Sequence, residues 1–225
     1  MEARYARNIP ALTESECLAL RKKRILVVGC GGLGGHIIDQ LARIGVGAIR
    51  VVDGDVFDVT NLNRQLLSSV PLLGVSKAKA AAEHIARVNP EIKVDTVPAF
   101  LTEDNAAELV ADCDIVMDAL DNVSSRKILS AACSEAGIPY VYGAISGWVA
   151  QAAVSMPGDM LMEILFPEEV EIRDKSVLSF TPALCASLQV SLCVKLLTGR
   201  PVEAGTVYHF DLLNLELESI PLMLI

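Results

Sequence analysis

The sequence predicts an α/β fold: a doubly wound, mostly parallel sheet extended by C-terminal strands of mixed direction. Three observations carry this. Short apolar runs rich in β-branched residues alternate with helical stretches from residue 24 to about 147. A glycine-rich turn, "GCGGLG" (29–34), joins the first run to the first long helix. After Gly147 the alternation stops, and apolar runs follow one another directly. Helix-separated, two-sidedly apolar strands belong to parallel sheets covered on both faces.

In order, "RILVVG" (24–29) is the first strand and 33–44 the first long helix, opening in glycines. "AIRVVD" (48–53) is the second strand, and "SKAKAAAEHIARV" (76–88) a helix stopped by Asn89-Pro90. "IKVDTV" (92–97), "DIVMDAL" (114–120) and "PYVYGA" (139–144) are further strands, with helices near 103–111 and 123–136. "WVAQAAVSMP" and "MLMEILFP" read as successive strands. A helix over 181–199 follows, with Thr181 as its cap, Pro182 at its first position and Gly199 past its end. It is apolar nearly all round, so it is buried or lies at a subunit interface. "TVYHFDLLNLELESI" closes the chain as a hairpin turning near 211–214. The expected organisation is one domain over 1–225: an arm and helix (1–22), a nucleotide-binding core (23–147), and a sheet extension with the apolar helix (148–225).

Composition narrows the function classes. The chain has 225 residues, 52% hydrophobic and 21% charged, and a net charge of −9, which fits a globular protein and not a disordered one. Its one basic run, "RKKR" (21–24), reads as a solvated helix end, and aromatics at 4% leave little for base stacking, so a nucleic-acid partner is not expected. No apolar run is expected to span a bilayer, and "MEARYARNIP" lacks a signal peptide's apolar stretch, which points to the cytoplasm. The six cysteines (17, 30, 113, 133, 185, 193) form no CxxC pair and read as reduced structural thiols.

The chemistry gathers at the strand ends. "GCGGLG" follows a strand and opens a helix, so Gly29, Gly31, Gly32 and Gly34 allow a tight turn and close approach of backbone amides to phosphate. Asp53 ends the next strand, where an acid can take two ribose hydroxyls; a plain packing turn would not explain it. Together these are a Rossmann-like nucleotide site. A dinucleotide needs chiefly backbone amides there, whereas a triphosphate needs cations and an acid for Mg²⁺. Arg64, Lys77, Asp118 and Asp121 lie where such groups belong. Singly, Arg64 could be a salt-bridge partner, Lys77 a solvated helix residue and Asp121 a helix cap; together they favour a triphosphate. Between them, "VTNLNRQ" (59–65) wraps four polar side chains round Leu62, as a clamp would.

"RYAR" (4–7), "GCGGLG", "ARIGVGAIRVVDGD", "TNLNRQ", "GVSKAKA", "VNPEIKV" and "DALDN" resemble, in order, the ThiF/MoeB/HesA branch of the ubiquitin-activating-enzyme-like superfamily, and the likeness resumes at "SLQVSLCVKLLTG". That resemblance implies an adenylyltransferase that uses ATP and Mg²⁺ to activate a carboxylate, usually the C-terminal glycine of a small ubiquitin-like sulfur-carrier protein. It implies Gly32 in the phosphate loop and Asp53 on the ribose, with Asp55 and Asn122 beside the nucleotide. It further implies Asn61, Arg64 and Gln65 as a clamp with Leu62 packing it down, Lys77 on phosphate, and Asp121 as the acid associated with Mg²⁺. Arg7 resembles an arginine supplied by the other subunit of a homodimer; the competing reading pairs it with Glu2.

The departures are informative. Zinc-bearing members carry two CxxC pairs; here the first falls on Leu161 and Ile164, so no zinc site is expected. Members forming a covalent sulfur link carry a cysteine before the last long helix, where "EIRDKSVLSF" has none, and Cys185 reads as a packing residue. A small carboxylic acid therefore stands as an alternative acceptor. An NAD-dependent oxidoreductase on the same fold is the other alternative, disfavoured by Arg64, Lys77 and Asp121, as is a scaffold that has lost its chemistry.

Overall fold

The computed structural model describes residues 2–168 and 176–222. Helix α1 (Glu14–Leu20) precedes β1 (Arg24–Val28), α2 (Gly32–Ile44), β2 (Ala48–Val52), α3 (Lys77–Val88) and β3 (Lys93–Val97). Then come α4 (Glu103–Val110), β4 (Ile115–Asp118), α5 (Val123–Ala136), β5 (Tyr140–Ser146) and β6 (Val149–Ser155). The described chain closes with α6 (Leu161–Leu165), α7 (Phe180–Leu197), β7 (Thr206–Asp211) and β8 (Glu216–Pro221).

Eight strands form one sheet in the order β3-β2-β1-β4-β5-β6-β7-β8. The pairings up to β4–β5 are parallel, and those from β5–β6 onward are antiparallel. Side chains alternate across β1: Ile25 and Val27 join the core on one face, Leu26 and Val28 the core on the other. Burial on both faces is why these strands read as unbroken apolar runs. Chain order reverses between β1 and β4, and Val28 stands level with both Val52 and Asp118. Ligands of such sheets bind at this reversal, outside the carboxyl ends of the strands.

Three expectations are corrected. "MLMEILFP" is not a strand but holds the short helix α6. Its Leu and Met residues favour helix, and Leu161 and Met162 are fully buried against the second core. Thr181 does not cap α7; it lies within the first turn and its hydroxyl donates to the Gly147 carbonyl at 2.8 Å. Third, α7 is by length and composition apolar enough to cross a membrane, contrary to the expectation that no run would be; half of it is buried, and it packs on α2, β5 and β6. The closing hairpin forms as expected, with the Asp211 carboxylate accepting from the Leu213 and Asn214 amides in its turn.

Candidate active site

The glycine turn sits at the reversal point. Gly29 has φ +98°, and a Cβ there would stand 2.5 Å from the Ala119 carbonyl oxygen, so only glycine lets β1 turn against the end of β4. Gly34 serves packing: its Cβ would fall 1.8 Å from the Gly29 oxygen. Beside the turn opens a cleft of about 350 Å³, lined among others by Gly31, Asp53, Arg64, Lys77, Phe100 and Asp121. Its volume is that of a small-molecule site.

Asp53 holds the turn as well as facing the cleft. Its Oδ2 accepts from the Cys30 amide at 2.6 Å and its Oδ1 from the Asp55 amide at 2.8 Å. Burial pushes its carboxyl above the ordinary value, against the pull of those two amides. Each oxygen keeps a lone pair for a ligand hydroxyl. Lys77 opens α3 and is buried at 7% exposure. Its Nζ lies 3.0 Å from Asp55 Oδ2, and its amide donates to the Asp55 carbonyl at 3.0 Å. Asp55 thus holds the lysine at the cleft wall.

The segment after β2 is built differently from the expected clamp. Asn61 does not line the cleft; its Oδ1 accepts from the Asp58 amide at 3.0 Å, capping a short 3-10 helix, Val59–Asn61. Leu62 does not pack the segment down, since it is 36% exposed; Phe57 and Leu67 are the buried anchors. Arg64 lines the cleft, with Nη1 donating to the Thr60 carbonyl and Asn63 Oδ1, both at 2.9 Å. Gln65 is buried against Gly31, and its Oε1 has no hydrogen-bond partner.

Across the cleft, Asp121 and Asn122 are exposed in the turn between β4 and α5. Asn122 caps α5 by accepting from the Ser125 amide at 2.9 Å, and its Nδ2 donates to Asp121 Oδ1 at 3.3 Å. Asp118 is fully buried, so the two acids of "DALDN" divide: one is structural and the other faces the cleft. Arg7 lies in a 3-10 helix, Ala3–Asn8, outside the cleft of its own chain. Its expected rival contact with Glu2 does not form; Glu2 pairs with Arg4 and Arg21.

Sequence reasoning missed Phe100, 63% exposed on the cleft wall, and Arg126, buried on α5. Arg126 stands four residues after the Asn122 cap, one helical turn from the Asp121 loop, and that spacing was the available signal. All six cysteines are free and buried. Cys185 packs at the Gln151 carbonyl at 3.2 Å with its thiol pushed up to about 12 by burial, which is a poor nucleophile's setting. The segment expected to lack a reactive cysteine, 171–180, lies partly outside the described residues. No group of three or more His, Cys, Asp or Glu could hold a metal among the described residues.

Glycine turn, strand-end acid, two cations and a turn-borne acid at the carboxyl ends of the parallel strands define a nucleotide-binding α/β enzyme. The chain belongs to the ThiF family, whose model matches residues 5–223. It is similar to the SAMP-activating enzyme E1 of Haloferax volcanii (35% identical; 90% of this chain, 77% of that protein). It is also similar to the molybdopterin-synthase adenylyltransferase of Salmonella typhimurium (34% identical; 91% and 85%). The chain is an enzyme of the adenylyltransferase class, in keeping with those relatives. It spans 59% of the longer adenylyltransferase/sulfurtransferase MoeZ of Mycobacterium tuberculosis. Among solved structures, TcdA of E. coli, a tRNA N6-threonylcarbamoyladenosine dehydratase determined with ATP, matches with a TM-score of 0.73 and 26% identity over 87% of this chain and 94% of that one. The E. coli MccB fold matches with a TM-score of 0.85 at 22% identity, over 97% and 71%.

Proposed function

We propose that this chain uses ATP and Mg²⁺ to adenylate a carboxylate, releasing pyrophosphate, and that the acceptor is the C-terminal glycine of a small ubiquitin-like sulfur carrier. One observation carries the reading: Lys77, Arg64 and Asp121 converge on the cleft that the glycine turn and Asp53 open. Those three together argue against a dinucleotide site. The molybdopterin-synthase adenylyltransferase and the sulfur carrier protein adenylyltransferase of Thermus thermophilus, 33% identical, support the choice of acceptor. A cytoplasmic setting belongs to the same reading, since all six thiols are free. So does treating 1–225 as one adenylation domain, because a single sheet runs through both of its parts.

In this reading Asp53 takes the ribose and the glycine turn the phosphates. Lys77 and Arg64 lie against the phosphate chain, where negative charge grows as the acceptor carboxylate attacks the α-phosphorus and the bond to pyrophosphate breaks. Cations placed there stabilise the transition state more than the ground state. The acceptor is already ionised at neutral pH, so no general base is required. Asp121 suits Mg²⁺, which commonly takes one or two carboxylates and completes its shell with phosphate oxygens and water; bound there, the ion would neutralise the departing pyrophosphate. Asn122 is held as a helix cap next to it. Arg7 reaches a cleft only in trans, in a homodimer.

Incubating the protein with ATP, Mg²⁺ and candidate carriers, then weighing the carrier by mass spectrometry, tests this. The expected product is the carrier with AMP on its terminal carboxylate. AMP formation with a small carboxylic acid and with no carrier would transfer the reading to that acceptor; binding of NAD without ATP would overturn it.

A further inference from the structure

Beneath the Asp121 turn lies a buried ion pair to which the adenylation reading gives no task. Asp118 ends β4 with no exposure, and Arg126, one turn into α5, is 4% exposed. Asp118 Oδ1 accepts from the Leu120 amide at 2.9 Å, while Arg126 Nη2 donates to the Leu120 carbonyl. Asp118 Oδ2 accepts from the Tyr140 hydroxyl at 2.6 Å and stands 3.4 Å from Arg126 Nη1. The guanidinium lies over the Tyr142 ring, 5.1 Å from its centroid. From α7, Gln189 Nε2 donates to the Asp118 carbonyl at 2.8 Å and the Val141 carbonyl at 3.1 Å. The amide and carbonyl of one residue, Leu120, are therefore both gripped by the side chains of one pair. The next residue is Asp121.

Stability alone is a weak reason for such an arrangement. Replacing a buried ion pair with apolar groups of similar volume is often neutral or stabilising. Asp118 shows the cost: burial pushes its carboxyl up, countered chiefly by the Arg126 charge, then by Tyr140 and the Leu120 amide. What the pair supplies is direction, because two fixed points on one residue set the path of the turn that follows. A displacement of about 1 Å in a reacting group can cost on the order of 100-fold in rate. Arg126 also keeps Nε and Nη1 without a hydrogen-bond acceptor while lining the cleft, so direct contact with a ligand is the rival role.

We propose that Arg126, braced by Asp118, is a positioning residue that holds the Leu120–Asp121 turn so that the Asp121 carboxylate meets the metal and phosphates of the bound nucleotide. This rests on the adenylation reading, in which Asp121 serves Mg²⁺.

The test is ATP binding to the full chain by calorimetry, with magnesium chloride and with EDTA, for wild type, Arg126→Lys, Asp121→Ala and the double variant. Lysine keeps a charge beside Asp118 but lacks the planar fork that reaches both Asp118 and Leu120. Arg126→Lys should lose about tenfold in affinity with magnesium and change less than about twofold in EDTA. In the Asp121→Ala background it should cost nothing further, because its target is gone. Equal loss with and without magnesium, a loss that multiplies in the double variant, or no loss at all each overturns the proposal. If circular dichroism shows Arg126→Lys unfolded, Tyr140→Phe, which loosens Asp118 from the β5 side, takes its place; about threefold loss in magnesium alone is expected, and any other pattern counts against the proposal. Wild-type protein binding ATP no better with magnesium would remove the adenylation reading, and this inference with it. Magnesium dependence that vanishes in Asp121→Ala yet survives intact in Arg126→Lys refutes the positioning role alone.

Discussion

The parallel and antiparallel halves of the sheet do different work. β1 and β4 are buried almost throughout, whereas β8 is exposed at every residue. Strands covered on both faces leave only their ends for polar groups, and there Asp53 and the Asp118–Asp121 turn are found. The antiparallel half contributes Ala144 and Ile145 to the cleft and exposes apolar side chains elsewhere, among them Trp148 and Phe180 with ring centroids 5.0 Å apart. The charged groups of the cleft thus gather at the carboxyl ends of the parallel strands, and the other half closes the core through α7.

If that division is right, the largest effect belongs to the parallel edge. Asp121→Ala should abolish adenylation, and exchange of pyrophosphate into ATP at a near-wild-type rate would break the contrast. Lys77→Ala should slow turnover at saturating ATP by about 1,000-fold. Asp55→Ala, which frees that lysine without removing it, should cost about tenfold, and equal losses would mean that Asp55 acts on the ligand itself. Asp53→Ala should weaken ATP binding by about 10- to 100-fold while slowing saturated turnover much less, because the ribose is remote from the reacting phosphorus. Its tie to the Cys30 amide sharpens this: loss of ATP affinity should come with faster hydrogen exchange in the glycine turn.

The antiparallel half should tolerate change. Leu217→Ser on β8, 57% exposed, should leave ATP affinity within about twofold and stability within about 0.5 kcal/mol; a large loss of ATP affinity would mean the halves are not separable. The smallest effect expected is at Glu16, which pairs with Arg200 at 2.7 Å and whose carboxyl is lowered to about 2, first by that bond. A lowered carboxyl stabilises above its unfolded pKa and loses the contribution as pH falls through the folded one. Glu16→Gln should lower the melting temperature slightly at pH 7, with the difference shrinking between about pH 4.5 and 2. A difference constant over that range would assign the effect to packing.

The parallel half was largely legible in the sequence, because its strands, glycine turn and strand-end acids each obey a local rule. Period and punctuation located β1 to β5, and the cleft does bring Asp53, Arg64, Lys77 and Asp121 together. What escaped notice depended on tertiary contact. Leu161 and Met162 fold as α6 because the second core receives them there, and an eight-residue apolar run has no period to reveal that. Leu62 reads as an anchor through its polar neighbours, yet Leu67 lies at the core and Leu62 is only partly covered. Arg126 is marked in the sequence only by its spacing from the Asn122 cap, which does not say that its side chain turns inward to meet Asp118.

Acceptor-dependent exchange of labelled pyrophosphate into ATP tests the central claim most directly. The wild-type protein should catalyse exchange when given ATP, Mg²⁺ and a ubiquitin-like carrier ending in a free glycine carboxylate. It should catalyse none when that terminus is an amide, because the attacking oxygen anion is missing. Exchange unaffected by amidation, or no exchange with any carrier or carboxylic acid while NAD binds tightly, would contradict the account.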